Sequence, residues 1–284
     1  FVRDCALFFR KHWTDLSAHI DHPDRSASVP IFEETRSRAL KITPHAKLPA
    51  LRLRSLAQFR YCLVTDVSRC FPSIYTHSIP WALHGKSNAK KDRKITSAGV
   101  YGNRLDFILR QSQDGQTMGI PVGPDHSRVI SELVLAAVDD SFLTSGDHGS
   151  YLRHVDDMWI GGDSVADCEH SLHRLRKSLN RFSLDINELK TRIVRTSNVI
   201  SENWPYDLEA QLEAALKLDS SIYEGRIVSL LGTVIEHANS DRDDGVIKFF
   251  LRKLDSWNKW DDYWKILEPF LAHCAIQFPH SLDY

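Results

Sequence analysis

The sequence predicts an α+β domain in which an antiparallel sheet is backed by helices on one face, followed by an α-helical C-terminal region. Two kinds of periodicity support this class. The runs Tyr61–Val67 and Ser150–Gly162 are short, apolar and aromatic like strands, whereas apolar residues after Ser164 recur every three or four positions, as in a helix. Strands and helices in the order strand, helix, helix, strand, strand, helix are typical of α+β architecture.

The composition fits a folded chain with a large core. The 284 residues are 42% hydrophobic, and 36 Lys and Arg residues against 37 Asp and Glu residues give a formal net charge of −1. A chain of this size can form one large domain with an extension. Because the net charge is near zero, any electrostatic attraction to nucleic acid has to be local.

The cysteines and the hydropathy pattern indicate a cytoplasmic protein without a membrane partner. The five cysteines are scattered and lack CxxC spacing, as expected of reduced core residues in an intracellular protein. No apolar run approaches the ~20 residues that a membrane span needs, and no charged-then-apolar leader opens the chain. The first residue, Phe1, also fits a trimmed piece of a longer protein.

The first candidate functional residue is Asp66. Residues 1 to 60 mix helical patches with Pro breaks and predict an irregular first lobe. The strand that follows places Cys62, Val64 and Asp66 on one face, because side chains alternate along a strand. Asp66 therefore lies at a strand end, pointing to where a site would form.

Asp156 and Asp157 lie side by side between two short apolar runs, which is the pattern of a hairpin with its charges at the tip. An ordinary tight turn prefers Asn-Gly or Asp-Gly, and a divalent cation would relieve the repulsion between two adjacent anions. With Asp66 they make three carboxylates that can hold two metal ions about 4 Å apart for phosphoryl transfer. Taken alone, an Asp-Asp pair is more often a solvated turn.

Four other features have more ordinary interpretations. Gly119–Pro124 is a stiff turn before a helix. The basic stretch Lys86–Lys94 is expected to be a solvated loop, with phosphate contact as the alternative. We expect His154 to be a satisfied core or hairpin histidine rather than a metal ligand. Ser164–Asp167 has capping-box spacing, which predicts a helix start.

The character of the chain changes near residue 236, so we predict domains at residues 1–235 and 236–284. The second contains an apolar stripe, interrupted by Pro269, that comprises Leu254, Trp257, Trp260, Trp264, Leu267 and Leu271. These tryptophans could stack on bases, but helix packing is the stronger interpretation. The large apolar face suggests a homo-oligomer or packing against a neighbouring helical domain.

Five blocks of the sequence, taken in order, resemble the palm of a reverse transcriptase and, more closely, the phage-defence reverse transcriptases of the abortive-infection group. The resemblance covers residues 50 to 235 and implies a right-hand fingers and palm fold. The last block is similar to the hydrophobic Leu-Gly turn that grips the primer. The blocks are Thr65–Tyr75, Gly119–Gly123, His154–Asp157, Leu184–Thr191 and Ser229–Ile235.

The resemblance implies a two-metal centre. Asp66 and Asp156 would bridge two Mg²⁺ ions, with Mn²⁺ as a substitute, while Asp157 completes or supports the cluster. The main-chain carbonyl of Val67 would add an oxygen ligand. Lys190 would donate a proton to the departing pyrophosphate.

The resemblance also implies a nucleotide site. Phe71 would be the steric gate that leaves no space for a 2′-hydroxyl and so favours dNTPs. Gly119 and Pro121 would place main chain against the nucleotide. Three arginines lie where the fingers lobe of the family contacts the triphosphate, and the resemblance does not choose among them: Arg52, Arg54 and Arg60.

The implied activity is Mg²⁺-dependent DNA synthesis in a bacterial defence against phage. The abortive-infection relatives imply template-independent synthesis primed on a protein hydroxyl, with the DNA product covalently attached to the protein, and a homo-oligomer. Two departures concern primer seating and template alignment, because His154 replaces the usual Tyr and Val122 the common Gln. The alternatives are templated synthesis on RNA or DNA, a non-catalytic nucleic-acid-binding scaffold, and an RNA-making polymerase, which Phe71 disfavours.

Overall fold

The computed structural model describes residues 2–32, 40–145, 150–200, 204–216, 223–241, 245–257 and 260–281. The chain divides into two units, residues 1–201 and 202–284. The boundary predicted after residue 235 differs from this division. It falls inside the helix Tyr223–Asp241, whose buried side chains belong to the core of the second unit.

A four-stranded antiparallel sheet is the centre of the first unit. The strands of the described residues are β1 (Ile31–Phe32), β2 (Leu40–Lys41), β3 (Tyr61–Asp66), β4 (Tyr151–His154), β5 (Asp157–Gly162) and β6 (Arg192–Arg195). Strands β1 and β2 pair separately, and the main sheet has the order β4-β5-β3-β6. Strand β3 pairs with β5 along its whole length, so Asp66 lies opposite Asp157.

Helices surround this sheet. In the described part of the first unit they are α1 (Val2–Ile20), α2 (Leu48–Leu56), α3 (Cys70–Ser73), α4 (Ser78–His84), α5 (Lys86–Lys91), α6 (Gly102–Gln111), α7 (Asp125–Leu143), α8 (Val165–Arg181) and α9 (Thr196–Ile200). The predicted α+β class is confirmed. The capping box is also present, because the Ser164 hydroxyl accepts from the Asp167 N–H at 3.2 Å and the Asp167 carboxylate accepts from the Ser164 N–H at 2.9 Å.

The two faces of the sheet pack against different sets of helices. Leu63 and Met158 belong to a large core that includes residues of α1, α4, α6, α7 and α8. Cys62 and Trp159 belong to a smaller core with residues of α2 and α9. The alternation predicted for β3 is confirmed, but helices were expected on one face only. The short helices α2 and α9 cover part of the other face because its apolar side chains also need burial.

The second unit is helical within the residues described. Its helices are α10 (Trp204–Leu216), α11 (Tyr223–Asp241), α12 (Gly245–Trp257) and α13 (Trp260–Gln277). Leu254 and Leu267 are buried in its core and Trp260 packs against that core, which confirms the helix-packing interpretation for these residues. Trp264 is 46% exposed. The side chain of Trp257 lies outside the described residues, and α13 continues through Pro269.

The block Ser229–Ile235 is helical and lies within α11, so the primer-gripping turn expected there is wrong. Leu230, Leu231 and Val234 are buried in the core of the second unit. Their spacing of three and four residues is that of a helix, and this signal outweighs the Leu-Gly resemblance.

All five cysteines are free and buried, as predicted. Every helix in the described ranges is too short or too polar to span a membrane.

Candidate active site

A tight hairpin between β4 and β5 presents the carboxylate pair. His154 pairs with Asp157, so the turn consists of Val155 and Asp156, and Asp157 is already a strand residue. Val155 has a φ of 56°, a rare conformation for a β-branched residue. Its N–H donates to the Ser28 hydroxyl at 2.5 Å, and its carbonyl oxygen accepts from Arg153 at 3.1 Å. Hydrogen bonds to both main-chain groups of Val155 therefore fix the turn that carries Asp156.

The guanidinium of Arg153 is fully buried and joins the hairpin to helix α7. It donates to the carboxylates of Glu132 and Asp139 at 2.8 to 3.0 Å. The Tyr151 hydroxyl donates to Asp139 at 2.6 Å, and the Ser26 hydroxyl donates to Glu132 at 2.7 Å. Burial raises the pKa of Glu132, but the adjacent Arg153 charge outweighs it and the pKa is lowered. This buried ion network fixes the base of the turn.

Asp66 and Asp156 lie together where β3 ends. The Val67 N–H donates to the Asp156 carbonyl oxygen at 3.1 Å, which ties the end of β3 to the turn. Asp66 is 5% exposed, and its Oδ2 lies 2.9 Å from the Lys190 ammonium. Its Oδ1 is buried without a hydrogen-bond partner among the described residues. Burial and the charge of Asp66 both raise the pKa of Asp156.

The carboxylate oxygens of Asp66 and Asp156 are suitable ligands for a divalent cation. A buried carboxylate oxygen without a donor is unfavourable, and Mg²⁺ prefers hard oxygen ligands of this kind. In the positions described, however, no three His, Cys, Asp or Glu side chains are already grouped so as to hold a metal ion. The Lys190 ammonium instead counters the charge of Asp66. Binding of ions would therefore require Lys190 and the carboxylates to adjust.

The block Leu184–Thr191 docks against the same strand end through its main chain. The Asn187 N–H donates to the Asp66 carbonyl oxygen at 2.9 Å, and the Ser68 N–H donates to the Asp185 carbonyl oxygen at 2.8 Å. These bonds position the turn that carries Lys190. The hydrogen bond to Asp66 raises the pKa of Lys190, whose side chain is 66% exposed.

The Gly/Pro block packs directly on the segment after Asp66. The Gly119 N–H donates to the Ile74 carbonyl oxygen and the Ile120 N–H to that of Phe71, both at 2.9 Å. Gly119 has a φ of 88°, and a Cβ there would lie 3.1 Å from the Pro72 carbonyl oxygen. Glycine is required for this close approach. The Gly119 turn and the segment from Phe71 to Ile74 thus lie side by side.

The predicted arginines differ in exposure. Arg52 is 7% exposed, and its guanidinium carbon lies 5.7 Å from the centre of the Trp159 ring. Arg52 therefore packs against the sheet. Arg54 and Arg60 are exposed. Pro121 is also exposed.

His154 is a core residue, as expected. It is 1% exposed, its Nε2 donates to the Thr43 carbonyl oxygen at 3.0 Å, and its ring makes an edge contact with His45 at 4.5 Å. Burial and the neighbouring His45 lower the pKa of His154 to about 4. The residue that replaces the family's Tyr is thus closed off from solvent.

Sequence reasoning missed the buried network that supports the hairpin. One signal was present, because Glu132 and Asp139 are seven residues apart and therefore share a face of a helix that is otherwise rich in apolar residues. Two acidic residues at core positions call for a buried cation. Nothing local in the sequence identifies Arg153 as that cation.

No protein-family model and no curated protein sequence matches the chain. Among solved structures it is similar to apo telomerase from Candida tropicalis, truncated from the C-terminal domain, with 12% identity over 67% of this chain and 40% of that one and a TM-score of 0.43. It is also similar to telomerase from Candida albicans in complex with a fragment of telomeric RNA, with 12% identity over 86% and 48% of the two chains and a TM-score of 0.42. The chain spans less than half of either telomerase chain. At these TM-scores neither likeness carries an argument about function.

Proposed function

We propose that the chain is a nucleotidyltransferase of the reverse-transcriptase type that joins deoxynucleotides with the help of divalent cations, Mg²⁺ or Mn²⁺. The observation that carries this proposal is the buried Asp66 carboxylate, which keeps one unpartnered oxygen beside Asp156 and opposite Asp157. Blocks distant in sequence dock around it through main-chain hydrogen bonds. Carboxylates converging at a strand end are the ligands that two-metal phosphoryl transfer uses.

Each residue of the centre has a distinct proposed part. Asp66 and Asp156 would hold the cations, with Asp157 and the Val67 carbonyl oxygen as further ligands. When bound, the cations would activate the attacking hydroxyl and neutralise the triphosphate. Lys190 counters the charge of Asp66 at a distance of 2.9 Å and is the proposed proton donor to the departing pyrophosphate.

The proposed nucleotide site is the surface formed by Phe71, Gly119 and Pro121. The Phe71 ring would pack on the sugar and exclude a 2′-hydroxyl, so dNTPs would be preferred to NTPs. For the triphosphate, exposure favours Arg54 and Arg60 over Arg52, because Arg52 already packs on Trp159. An arginine suits this role because its fork binds phosphate oxygens in pairs.

For the biological role, we propose template-independent, protein-primed DNA synthesis by a homo-oligomer in the cytoplasm of a bacterium defending itself against phage. The resemblance of the sequence blocks supports this subgroup. The burial of His154 also supports template-independent, protein-primed synthesis, because a ring that is 1% exposed cannot contact the end of a primer. Val122, which is 73% exposed, stands where the family commonly has Gln. It therefore has no side-chain amide with which to contact a template.

The test is incorporation of labelled dNTPs by purified protein in Mg²⁺, without primer or template, followed by protease treatment. We expect labelled DNA that remains attached to peptide. Asp156→Asn should lower incorporation by more than about 100-fold, beyond the usual loss at supporting residues of a metal site. Asp163→Asn, an exposed carboxylate at the other end of β5, is the matched control and should leave incorporation unchanged. Undiminished synthesis by Asp156→Asn would rule out the proposed metal ligands.

Two alternatives are separated by the same assay. Templated synthesis predicts incorporation only when an RNA or DNA template and primer are added. A non-catalytic nucleic-acid-binding scaffold is favoured by one observation, since the described side chains do not yet form a group of three metal ligands. It predicts nucleic-acid binding that EDTA leaves unchanged and no incorporation under any condition.

A further inference from the structure

A polar cleft with a volume of about 350 Å³ lies outside the carboxylate centre, among residues of helices α4, α5 and α6 and their connections. We name it the Trp81 cleft. It is lined by aromatic and basic side chains, of which six carry the argument: Tyr75, His77, Trp81, Lys90, Arg93 and Arg110.

The floor of the Trp81 cleft is built on a buried carboxylate. Asp106 accepts from His77 Nδ1 at 2.9 Å and from Arg110 Nε at 3.2 Å. The His77 Nδ1 contact with Asp106 leaves Nε2 as the other polar atom of the ring. The His77 side chain is 36% exposed. The floor therefore exposes part of an imidazole ring that a buried, paired carboxylate holds in place.

Aromatic rings form one wall. Tyr75 contacts Trp81 edge to face with centroids 5.6 Å apart, and it contacts His77 in the same way at 4.9 Å. The ammonium of Lys86 lies 4.1 Å from the centre of the Trp81 ring, which covers that part of the tryptophan. Rings arranged in this way provide the flat apolar surfaces on which nucleobases stack regardless of sequence.

The rim is cationic. Lys90 and Arg93 are exposed. Arg93 Nε donates to the Lys90 carbonyl oxygen at 3.3 Å, which holds the Arg93 side chain close to the Lys90 main chain. Among the described lining residues the one carboxylate is Asp106, which is buried and paired. Since the net charge of the whole chain is −1, this cleft concentrates positive charge locally.

We propose that the Trp81 cleft binds one nucleotide unit, with the base against Tyr75 and Trp81 and the phosphate near Lys90 and Arg93. The volume is at the low end for ligand sites, so it suits a single nucleotide and not a duplex. Tyr75 also forms an isolated antiparallel β-bridge with Met118, the residue before Gly119. The cleft therefore adjoins the surface of Phe71 and Gly119. The inference does not depend on polymerase activity, because binding requires neither cations nor the three carboxylates.

The nucleotide bound in the Trp81 cleft could come from two sources with the same chemistry. It could be a free nucleotide or one nucleotide of a single strand. The test is fluorescence anisotropy of a labelled single-stranded DNA of twelve adenines, in EDTA so that the carboxylate centre holds no cation. Unlabelled dAMP is added as competitor. Displacement by dAMP identifies a site for a free nucleotide, and binding of the strand without displacement identifies a site for the strand. Absence of strand binding overturns the proposal.

The matched variants come from one basic segment. Lys90→Ala with Arg93→Ala removes two cations from the rim, whereas Lys91→Ala with Lys94→Ala removes two exposed cations that do not line the cleft. We expect the first pair to weaken binding about tenfold and to make the slope of log K against log salt shallower by roughly 0.7, the value for one phosphate contact on a single strand. The second pair should change neither. Equal effects of the two pairs would show non-specific attraction and overturn the proposal.

Discussion

At the scale of the residue, Val155 shows how the hairpin holds Asp156 in place. A β-branched side chain at a φ of 56° is strained, and strain of this kind persists only where neighbouring groups enforce it. Here Ser28 holds the Val155 N–H and Arg153 holds its carbonyl oxygen. The position of Asp156 therefore depends on Ser28 and Arg153, neither of which is a proposed metal ligand.

Ser28→Ala should lower both stability and incorporation. It leaves the Val155 N–H without its acceptor, which costs about 1 to 3 kcal/mol when the group is buried. Urea unfolding measures the loss, and dNTP incorporation reports the displaced carboxylate. The matched control is Ser127→Ala, because Ser127 is equally buried but its hydroxyl has no partner among the described residues. Equal losses in both variants would contradict a special role for Ser28.

Phe71→Val should relax the choice of sugar. Phe71 is half-buried, and its carbonyl oxygen accepts from the Ile120 N–H next to Gly119. A smaller side chain would leave space for a 2′-hydroxyl. We expect the ratio of kcat/KM for dATP over ATP to fall by at least about tenfold, a typical effect of reshaping an apolar pocket. Phe71→Tyr keeps the ring and should keep the ratio. An unchanged ratio in Phe71→Val would place the sugar elsewhere.

At the scale of the element, local signals were enough to predict β3 and the start of α8. Alternation and a capping box are properties of adjacent residues, so a sequence contains them in full. The network of Glu132, Asp139 and Arg153 could not be predicted, because it joins a helix to a strand through contacts that only the folded chain defines. The pairing of His77 with Asp106 is non-local in the same way.

Helices α4 and α6 meet at a histidine whose charge state affects stability. His84 Nε2 accepts from the Gly102 N–H at 3.1 Å, and its ring contacts Tyr101 edge to face at 4.4 Å. Burial lowers the pKa of His84, and the nearby His19 and His12 lower it further, while Asp15 acts in the opposite direction. The folded state thus favours neutral His84.

The sign of the pH dependence follows. Below the ordinary histidine value of 6.5, the unfolded chain binds a proton that folded His84 resists, so this residue makes stability fall as pH falls. We expect the loss of unfolding free energy between pH 7.5 and pH 5.5 to be smaller in His84→Gln than in the natural chain. Urea titrations at the two values measure it, and an equal or steeper loss in the variant would contradict the assignment.

At the scale of the whole molecule, each unit has its own apolar core. The sequence predicted a helical C-terminal region but placed its start at residue 236, where the character of the chain changes, whereas the structure divides the chain after residue 201. The buried residues of the second unit begin at Leu208. The helically spaced Leu230, Leu231 and Val234 of α11 belong to the same core.

Phe250→Ala should therefore act within the second unit. Phe250 is buried and contacts Phe270 at a centroid distance of 5.9 Å. Removing a buried phenylalanine ring costs about 3 to 5 kcal/mol. We expect amide hydrogen exchange across residues 204–281 to become faster, as mass spectrometry would show. Ile276→Ala, at an exposed position of α13, is the control and should leave exchange unchanged.

The proposed metal centre is tested by dNTP incorporation as a function of Mg²⁺ concentration, in the natural chain and in Asp66→Asn. Asp66 carries the unpartnered buried oxygen on which the proposed metal centre depends. We predict incorporation that requires Mg²⁺ and falls by more than about 100-fold in Asp66→Asn, with circular dichroism showing that the fold is retained. Incorporation by folded Asp66→Asn at the natural rate would contradict the account.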